Sequence, residues 1–274
     1  MRILFATDGS ENSLAAARLL AGLSLGATDV IAVLSVASGT DSQPAVDAVN
    51  SAVKLLPSDP THLETIVRGS HPADEILRTA AELPADLLVL GARGHNGLAT
   101  LLSGSVSDQV LRQAHCPVLL ARSMPGALRR VLLGTDGSAG AARAADYLCS
   151  LPLPSDCEIR VLTLLPAFDQ IAREHMAVGP PLTPDVTTLA ELQRREAQEH
   201  LDAVAETLKS LGRTVVTEIR GTDPAEGLLA TACEEGTDLL VIGTHTQSRV
   251  ERFFLGSVSE SLAHQAPCSI LVVR

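Results

Sequence analysis

Gly91-Ala92-Arg93-Gly94, nine further residues, and then Gly104-Ser105-Val106-Ser107 form a spacing suited to anion chemistry. The stretch begins where the apolar run Leu87-Leu88-Val89-Leu90 stops, and it ends where Val106, Val110 and Leu111 fall on one helical face. Glycine tolerates positive φ and lets backbone N–H groups approach a ligand closely. The first turn of a helix adds unpaired N–H donors and a partial positive charge. Ser105 followed by Asp108 reads as a capping box that marks the helix start. The stretch therefore reads as a phosphate cradle. Plain strand-to-helix turns are glycine-rich too, so the reading gains its weight from a second, matching stretch between Gly243 and Ser259.

The elements that must carry such a cradle are legible in order. An apolar strand over Arg2–Thr7 runs into Asp8-Gly9-Ser10, and a helix follows with Leu14, Ala17, Leu20 and Ala21. Further strands are predicted over Val30–Val36, His62–Val67, Asp86–Leu90 and Pro117–Ala121. Helices are predicted over Ala45–Leu55, ended by Pro57 and Pro60, and over Ala73–Leu83, opened by Pro72 and stopped by Pro84. The cradle helix runs to about Ala114. Strands alternating with helices imply βαβ units and a doubly wound parallel sheet, with ligands beyond the carboxyl ends of the strands where their order reverses. If the first and fourth strands are neighbours there, Asp8 faces the cradle.

After Met124-Pro125-Gly126-Ala127 the pattern restarts. Val131 to Ser138 repeats Ile3 to Ser10 with Thr-Asp-Gly-Ser unchanged, and Ile159–Leu164 matches Ile31–Val36. Residues 220–274 align with 68–122 without a gap, from Arg-Gly-x-x-Pro-Ala through a second Gly-Ser-Val-Ser. The period is too long for a solenoid, so each copy is a domain: residues 1–123, a linker over 124–128, and residues 129–274. The second copy carries an insertion around residues 168–190, with Pro180, Pro181 and Pro184, before a long charged helix predicted over Thr188–Leu211. The helix reads as a solvated face with intrahelical ion pairs, and the proline-rich loop reads as either a connection or a lid.

Bulk properties narrow the function. A formal net charge of -11 opposes binding to nucleic-acid backbones, and an aromatic content of 2% leaves few base-stacking platforms. No apolar run approaches the roughly 20 residues that cross a bilayer, and Met1–Ala6 leads straight into Thr7-Asp8-Gly9, so neither a membrane partner nor a leader is expected. The cysteines are five, without a C-x-x-C pair, and fit a reduced cytoplasmic setting; Cys116 and Cys268, equivalent between copies, read as buried packing residues. The histidines lack metal-ligand spacing.

Thr-Asp-Gly-Ser after the first strand, with Gly-x2-Gly-x9-Gly-Ser after the fourth, resembles the universal stress protein family, twice along the chain and in its ATP-binding branch. The resemblance implies two five-stranded parallel sheets, each of order 3-2-1-4-5 with helices on both faces, paired within the chain through their last strands; a homodimer is a further expected assembly. It implies that Ala6, Thr7 and Asp8 lie along adenine and ribose and that Val36 packs on the adenine. Gly91, Ala92, Arg93, Gly94, His95, Gly104, Ser105, Val106 and Ser107 then surround ribose and phosphates, with Arg93 adding charge. Asp8 suits a ribose hydroxyl or a Mg²⁺ held with the phosphates, its competing role being a turn-forming Asp that caps the first helix. His95 reads as a loop residue rather than a catalytic base, and no catalytic residue is assigned.

The same carry-over gives Gly134, Thr135, Asp136, Leu164, Gly243, Thr244, His245, Gly256, Ser257, Val258 and Ser259 in the second copy. There Thr246 replaces the middle glycine. A β-branched residue forced into the left-handed region costs roughly 1–2 kcal/mol, or about a tenfold loss in affinity, which Arg249 and Arg252 partly offset. The expected function is ATP-dependent regulation in stress response, with an intact first site and a weaker or empty second one. The alternatives are a slow ATP hydrolase or nucleotidyl-transfer enzyme, which the missing Gly-Lys-Ser/Thr loop disfavours, and a scaffold with vestigial sites. A phosphoacceptor role for Asp8 fails, because the third strand ends in Arg68-Gly69 rather than an acidic residue.

Overall fold

A computed structural model describes residues 1–37, 39–57, 63–92, 106–122, 127–165, 186–244 and 255–274. Its strands are β1 (Arg2–Ala6), β2 (Val30–Ala37), β3 (Leu63–Gly69), β4 (Leu87–Gly91) and β5 (Val118–Ala121), then β6 (Arg130–Thr135), β7 (Glu158–Leu165), β8 (Thr214–Gly221), β9 (Leu239–Gly243) and β10 (Ser269–Val273). The helices of the first half are α1 (Glu11–Ala21), α2 (Gln43–Val53), α3 (Pro72–Glu82) and α4 (Val106–Gln113). Those of the second are α5 (Ala139–Ser150), α6 (Val186–Ser210), α7 (Pro224–Glu234) and α8 (Ser257–Gln265).

All ten strands form one sheet of order β3-β2-β1-β4-β5-β10-β9-β6-β7-β8. Each half has the expected order 3-2-1-4-5, and every pairing within a half is parallel, as with Ile3 between Ile31 and Leu87. The halves meet where β5 and β10 pair antiparallel, Leu119 opposite Leu271. The central strands are continuous apolar runs because helices cover both faces, so neither face can alternate with polar residues. Leu87–Leu90 and Ile270–Val273 are buried throughout.

Helices α1, α2, α5 and α6 pack on one face through Leu20, Val49, Leu148 and Leu201. Helices α3, α4, α7 and α8 pack on the other through Ile76, Val110, Leu228 and Leu262. Each cluster draws residues from both halves, so the two cores are shared across the junction. Leu128, at the end of the expected linker, is 1% exposed and belongs to the first cluster. Two more ties cross the junction: Ser24 N donates to the Pro152 carbonyl at 2.8 Å, and the Tyr147 hydroxyl donates to the Asp86 carbonyl at 3.0 Å. The last strands are paired on both sides within the chain, so association with another copy has to use a different surface.

The element boundaries differ from expectation by a few residues. Helix α2 begins at Gln43, ahead of the predicted Ala45, because Pro44 fits a first helical turn whose N–H groups are unpaired anyway, and it ends at Val53, well before Pro57. Strand β3 extends to Gly69, its register with β2 continuing through Val36↔Arg68 and Ala37↔Gly69. The long charged helix spans Val186–Ser210, and buried Ala197, Leu201, Ala205 and Leu208 show that one face packs on the core rather than being solvated all round. Pro180, Pro181 and Pro184 lie outside the described residues.

Cys116 is half-buried and Cys157 and Cys268 are buried, and burial pushes each thiol up to about 11. Thiols so displaced stay protonated and unreactive near neutral pH. Cys233 is exposed. A maleimide at pH 7 should therefore label Cys233 within minutes, with Cys157 and Cys268 labelled only after denaturation; peptide mass mapping of a time course checks this, and early labelling at Cys268 would contradict the packing.

Candidate functional site

The described site is built at the carboxyl ends of β6, β7 and β9, on the second half. A cavity of about 250 Å³ is lined by Gly134, Thr135, Asp136, Ser138, Ala141, Leu162, Leu164, Pro224, Leu228, Ile242, Gly243, Leu255, Gly256, Ser257, Val258 and Ser259. Its floor is apolar, from Leu162, Leu164, Leu228 and Ile242. Its rim is polar, from the β6–α5 turn and the first turn of α8. This is the crevice where strand order reverses, β6 lying between β7 and β9.

The β6–α5 turn explains why Thr-Asp-Gly-Ser occurs twice. Gly9 and Gly137 both have φ of 76°, in the left-handed region where glycine is favoured. The serine after each caps the next helix: Ser10 Oγ accepts from Ser13 N at 3.4 Å and Ser138 Oγ from Ala141 N at 3.2 Å. The aspartate is an Asx turn rather than the cap itself, with Asp8 Oδ1 accepting from Ser10 N at 3.0 Å and Asp136 Oδ1 from Ser138 N at 2.9 Å. Asp8 is exposed at the surface. The surrounding loop still desolvates its carboxyl, which alone would raise its pKa, but hydrogen bonds from the Ser10 hydroxyl, the Ser10 amide and the Ser13 hydroxyl prevail and hold it below the ordinary 3.8. A carboxylate with a lowered folded pKa stabilises above its unfolded value and loses that contribution as pH falls through the folded one. Asp8→Asn should therefore lower stability in the neutral region and flatten the acid limb of a stability-versus-pH curve below about pH 4, where variant and parent converge, as urea unfolding at stepped pH would show.

Several expected site residues have other work. Thr7 is 6% exposed; its hydroxyl donates to Ser13 Oγ at 3.0 Å and accepts from Gly9 N at 3.2 Å, which commits it to the turn. Ala92 N donates to the Ala121 carbonyl at 2.7 Å and Thr244 N to the Val273 carbonyl at 2.8 Å, so these amides extend strand pairing and are not free for phosphate. The Thr244 side chain is buried and is not part of the cleft lining. A side chain at Gly91 would place Cβ 2.5 Å from Asn12 C and Ser13 N; one at Gly243 would place it 2.1 Å from Gly140 O. These glycines are therefore required by the close seating of α1 and α5 on the sheet, whatever else they contact. Ser107 Oγ donates to the Gly91 carbonyl at 3.4 Å and Ser259 Oγ to the Gly243 carbonyl at 3.3 Å. A hydroxyl whose proton is engaged can only accept, which suits a ribose hydroxyl better than a phosphate oxygen.

In the first half Ala6 is buried, Val36 is half-buried against the second core cluster, and Val106 and Ser107 open α4. Arg93, Gly94, His95, Gly104 and Ser105 lie outside the described residues, as do His245, Thr246, Arg249 and Arg252. The lining also holds residues that motif reading missed: Ser138, Ala141, Leu162, Pro224, Leu228, Ile242 and Leu255. Pro224 was within reach, since Arg-Gly-x-x-Pro-Ala recurs in both copies. The leucines and Ile242 look like any core residue until the sheet orients them.

A duplicated doubly wound α/β fold, with a crevice at the reversal of strand order in its second half, is thus the class of protein defined here. The model of the universal stress protein family matches residues 1–122 and 127–274, and the chain belongs to that family. A universal stress protein of Methanocaldococcus jannaschii is 28% identical over 146 residues, covering 53% of this chain and 82% of its own length. One of Mycobacterium tuberculosis is 28% identical over 208 residues, covering 69% of this chain and 62% of its own length. The crystal structure of a universal stress protein from Archaeoglobus fulgidus superposes with a TM-score of 0.71 over 100% of this chain and 98% of that one, at 21% identity, which speaks for the tandem fold.

Proposed function

We propose that this protein is a nucleotide-sensing regulator that binds an adenine nucleotide, ATP, in its crevices. The observation that carries the reading is the cleft of the second half: an apolar floor that suits a purine, bounded on one side by an Asx turn and on the other by the amide-rich first turn of α8. Its volume of about 250 Å³ is near the small end of ligand pockets and suits a nucleoside, with the phosphates lying outward along the rim. Leu164 and Leu228 would flank the base, Asp136 would take a ribose hydroxyl, and the backbone around Gly256 and Ser257 would face phosphate. The room for a base persists in this half, so the weakening expected there comes from the phosphate end, where Thr246 replaces the glycine found at Gly94.

Mg²⁺ fits as an ion carried mainly by the phosphates. The described residues contain no group of three or more His, Cys, Asp or Glu placed to hold a metal. Asp8 could supply one carboxylate ligand in the first half, and Mg²⁺ commonly binds through one carboxylate and substrate phosphates. Asp136 is the one titratable side chain in the described lining, which favours binding over chemistry. No helix among the described residues is long and apolar enough to cross a membrane.

The test is native mass spectrometry of the protein as purified, followed by calorimetric titration with Mg-ATP. Copurified ATP, and one tight site with a second about tenfold weaker, are the expected results. Copurified ADP or AMP would favour the hydrolase reading, and an empty protein with no heat of binding would favour a scaffold. Two equal sites would overturn the role given to Thr246.

A further inference from the structure

We infer that the two crevices are coupled through a brace between α4 and α8, so that filling one restrains the helix beside the other; this rests on the nucleotide reading above. Both helices open on site residues, Val106 and Ser107 in α4 and Ser257 to Ser259 in α8. The residue following each serine meets the same arginine, Arg112. Asp108, 8% exposed, accepts from Arg112 Nε at 3.2 Å and lies 4.0 Å from His264 Nε2 of α8. The other end of the Arg112 guanidinium pairs with Glu260, which follows Ser259 directly. A continuous set of contacts therefore joins the first turn of one site helix to the first turn of the other.

The far ends of the same helices are tied across the junction as well. Arg122, just after β5, donates to the carbonyls of Ala263 at 2.9 Å and His264 at 3.3 Å, in the last turn of α8. Arg274, at the equivalent place after β10, donates to the Leu111 carbonyl near the end of α4. A cation at a helix C-terminus is favourable, and here each half supplies the other's. Helix α8 is thus held near both ends by groups from the opposite half, and α4 is held by them near its C-terminal end. Charge-assisted hydrogen bonds are directional and stiff. A ligand that orders one helix N-terminus reduces the freedom of the other helix through these ties, and a second ligand then has less ordering to do. The coupling is mutual by linkage.

Hydrogen exchange reads this directly. In a Val36→Trp variant, designed to block the base expected in the first half, Mg-ATP is left to occupy the second. Exchange of the Ser257–Gln265 amides should slow, and exchange of the Val106–Gln113 amides should slow by about fivefold, the lower range of typical inter-site coupling. Adding Arg112→Gln or Glu260→Gln should abolish the protection of α4 and leave that of α8. The double substitution should do no more than either alone, because both remove one pair, and Arg112→Lys should restore part of the effect. A mere loss of packing would lower the melting temperature without separating the two helices in this way. Protection of α8 with none of α4 would overturn the brace, as would protection of α4 that survives both substitutions. Protection of neither helix, with Mg-ATP still bound by the parent protein, would show an empty second site and overturn the brace; no binding by the parent either would overturn the nucleotide reading as well.

Discussion

Replacing Gly243 with alanine is expected to destabilise the protein by about 3 kcal/mol and to lower its melting temperature by roughly 6–12 °C. The added Cβ would lie 2.1 Å from Gly140 O, 2.3 Å from Gly140 C and 2.8 Å from Ala141 N. All three are backbone atoms of the first turn of α5, so no side chain can rotate away and the whole helix has to lift. The contact is tight from the other side too, since a Cβ at Gly140 would meet Thr244 O at 2.3 Å. A glycine inside a helix costs about 1 kcal/mol relative to alanine, a cost set against the close approach of helix and strand. Lifting α5 moves Ser138 and Asp136, so nucleotide affinity in the second half should fall with stability. Gly221→Ala is the matched control: it also ends a strand, but its Cβ would meet nothing within 4 Å. That variant should stay within about 0.5 kcal/mol of the parent. Equal melting curves for the two would mean that α5 does not sit on β9 as described.

The two glycines show where sequence reading succeeds and where it stops. The spacing around Gly91 and Gly243 located the right turn, because a strand, a small residue and a helix start are all local signals. It could not say what the missing side chain makes room for. That depends on α1 and α5, which lie far back in the chain and approach only once the sheet has formed. The same distinction holds for Ser107 and Ser259, whose repetition was visible but whose partners are carbonyls at the ends of β4 and β9. Strand order in each half was legible from alternation together with the family resemblance. The pairing of β5 with β10 followed from the resemblance alone, since nothing in either strand marks it. The ties of Arg122 and Arg274 to helices of the opposite half were out of reach: an arginine after a strand carries no local sign that a helix end 141 or 163 residues away in sequence will meet it.

Filling the two crevices separately should rank them. Leu164, at the end of β7, is half-buried and lines the cleft, and Val36 holds the equivalent place at the end of β2. Tryptophan at either position would occupy the space expected for a base, with less disturbance than at a fully buried site because part of each side chain already faces outward. Leu164→Trp should weaken binding in the second half by at least about thirtyfold, or roughly 2 kcal/mol, and leave the tighter site. Val36→Trp should remove the tighter site and leave only the weaker one. If Thr246 sets the difference, then Thr246→Gly in the Val36→Trp background should recover about tenfold in affinity, because the loop would regain the left-handed freedom that a β-branched residue lacks. Calorimetry on the three variants reads all of this, with melting curves as the check on folding. Should Leu164→Trp remove the tight site instead, the order of the halves would be reversed, and the phosphate-end argument would give way to one in which the shape of the apolar floor decides affinity.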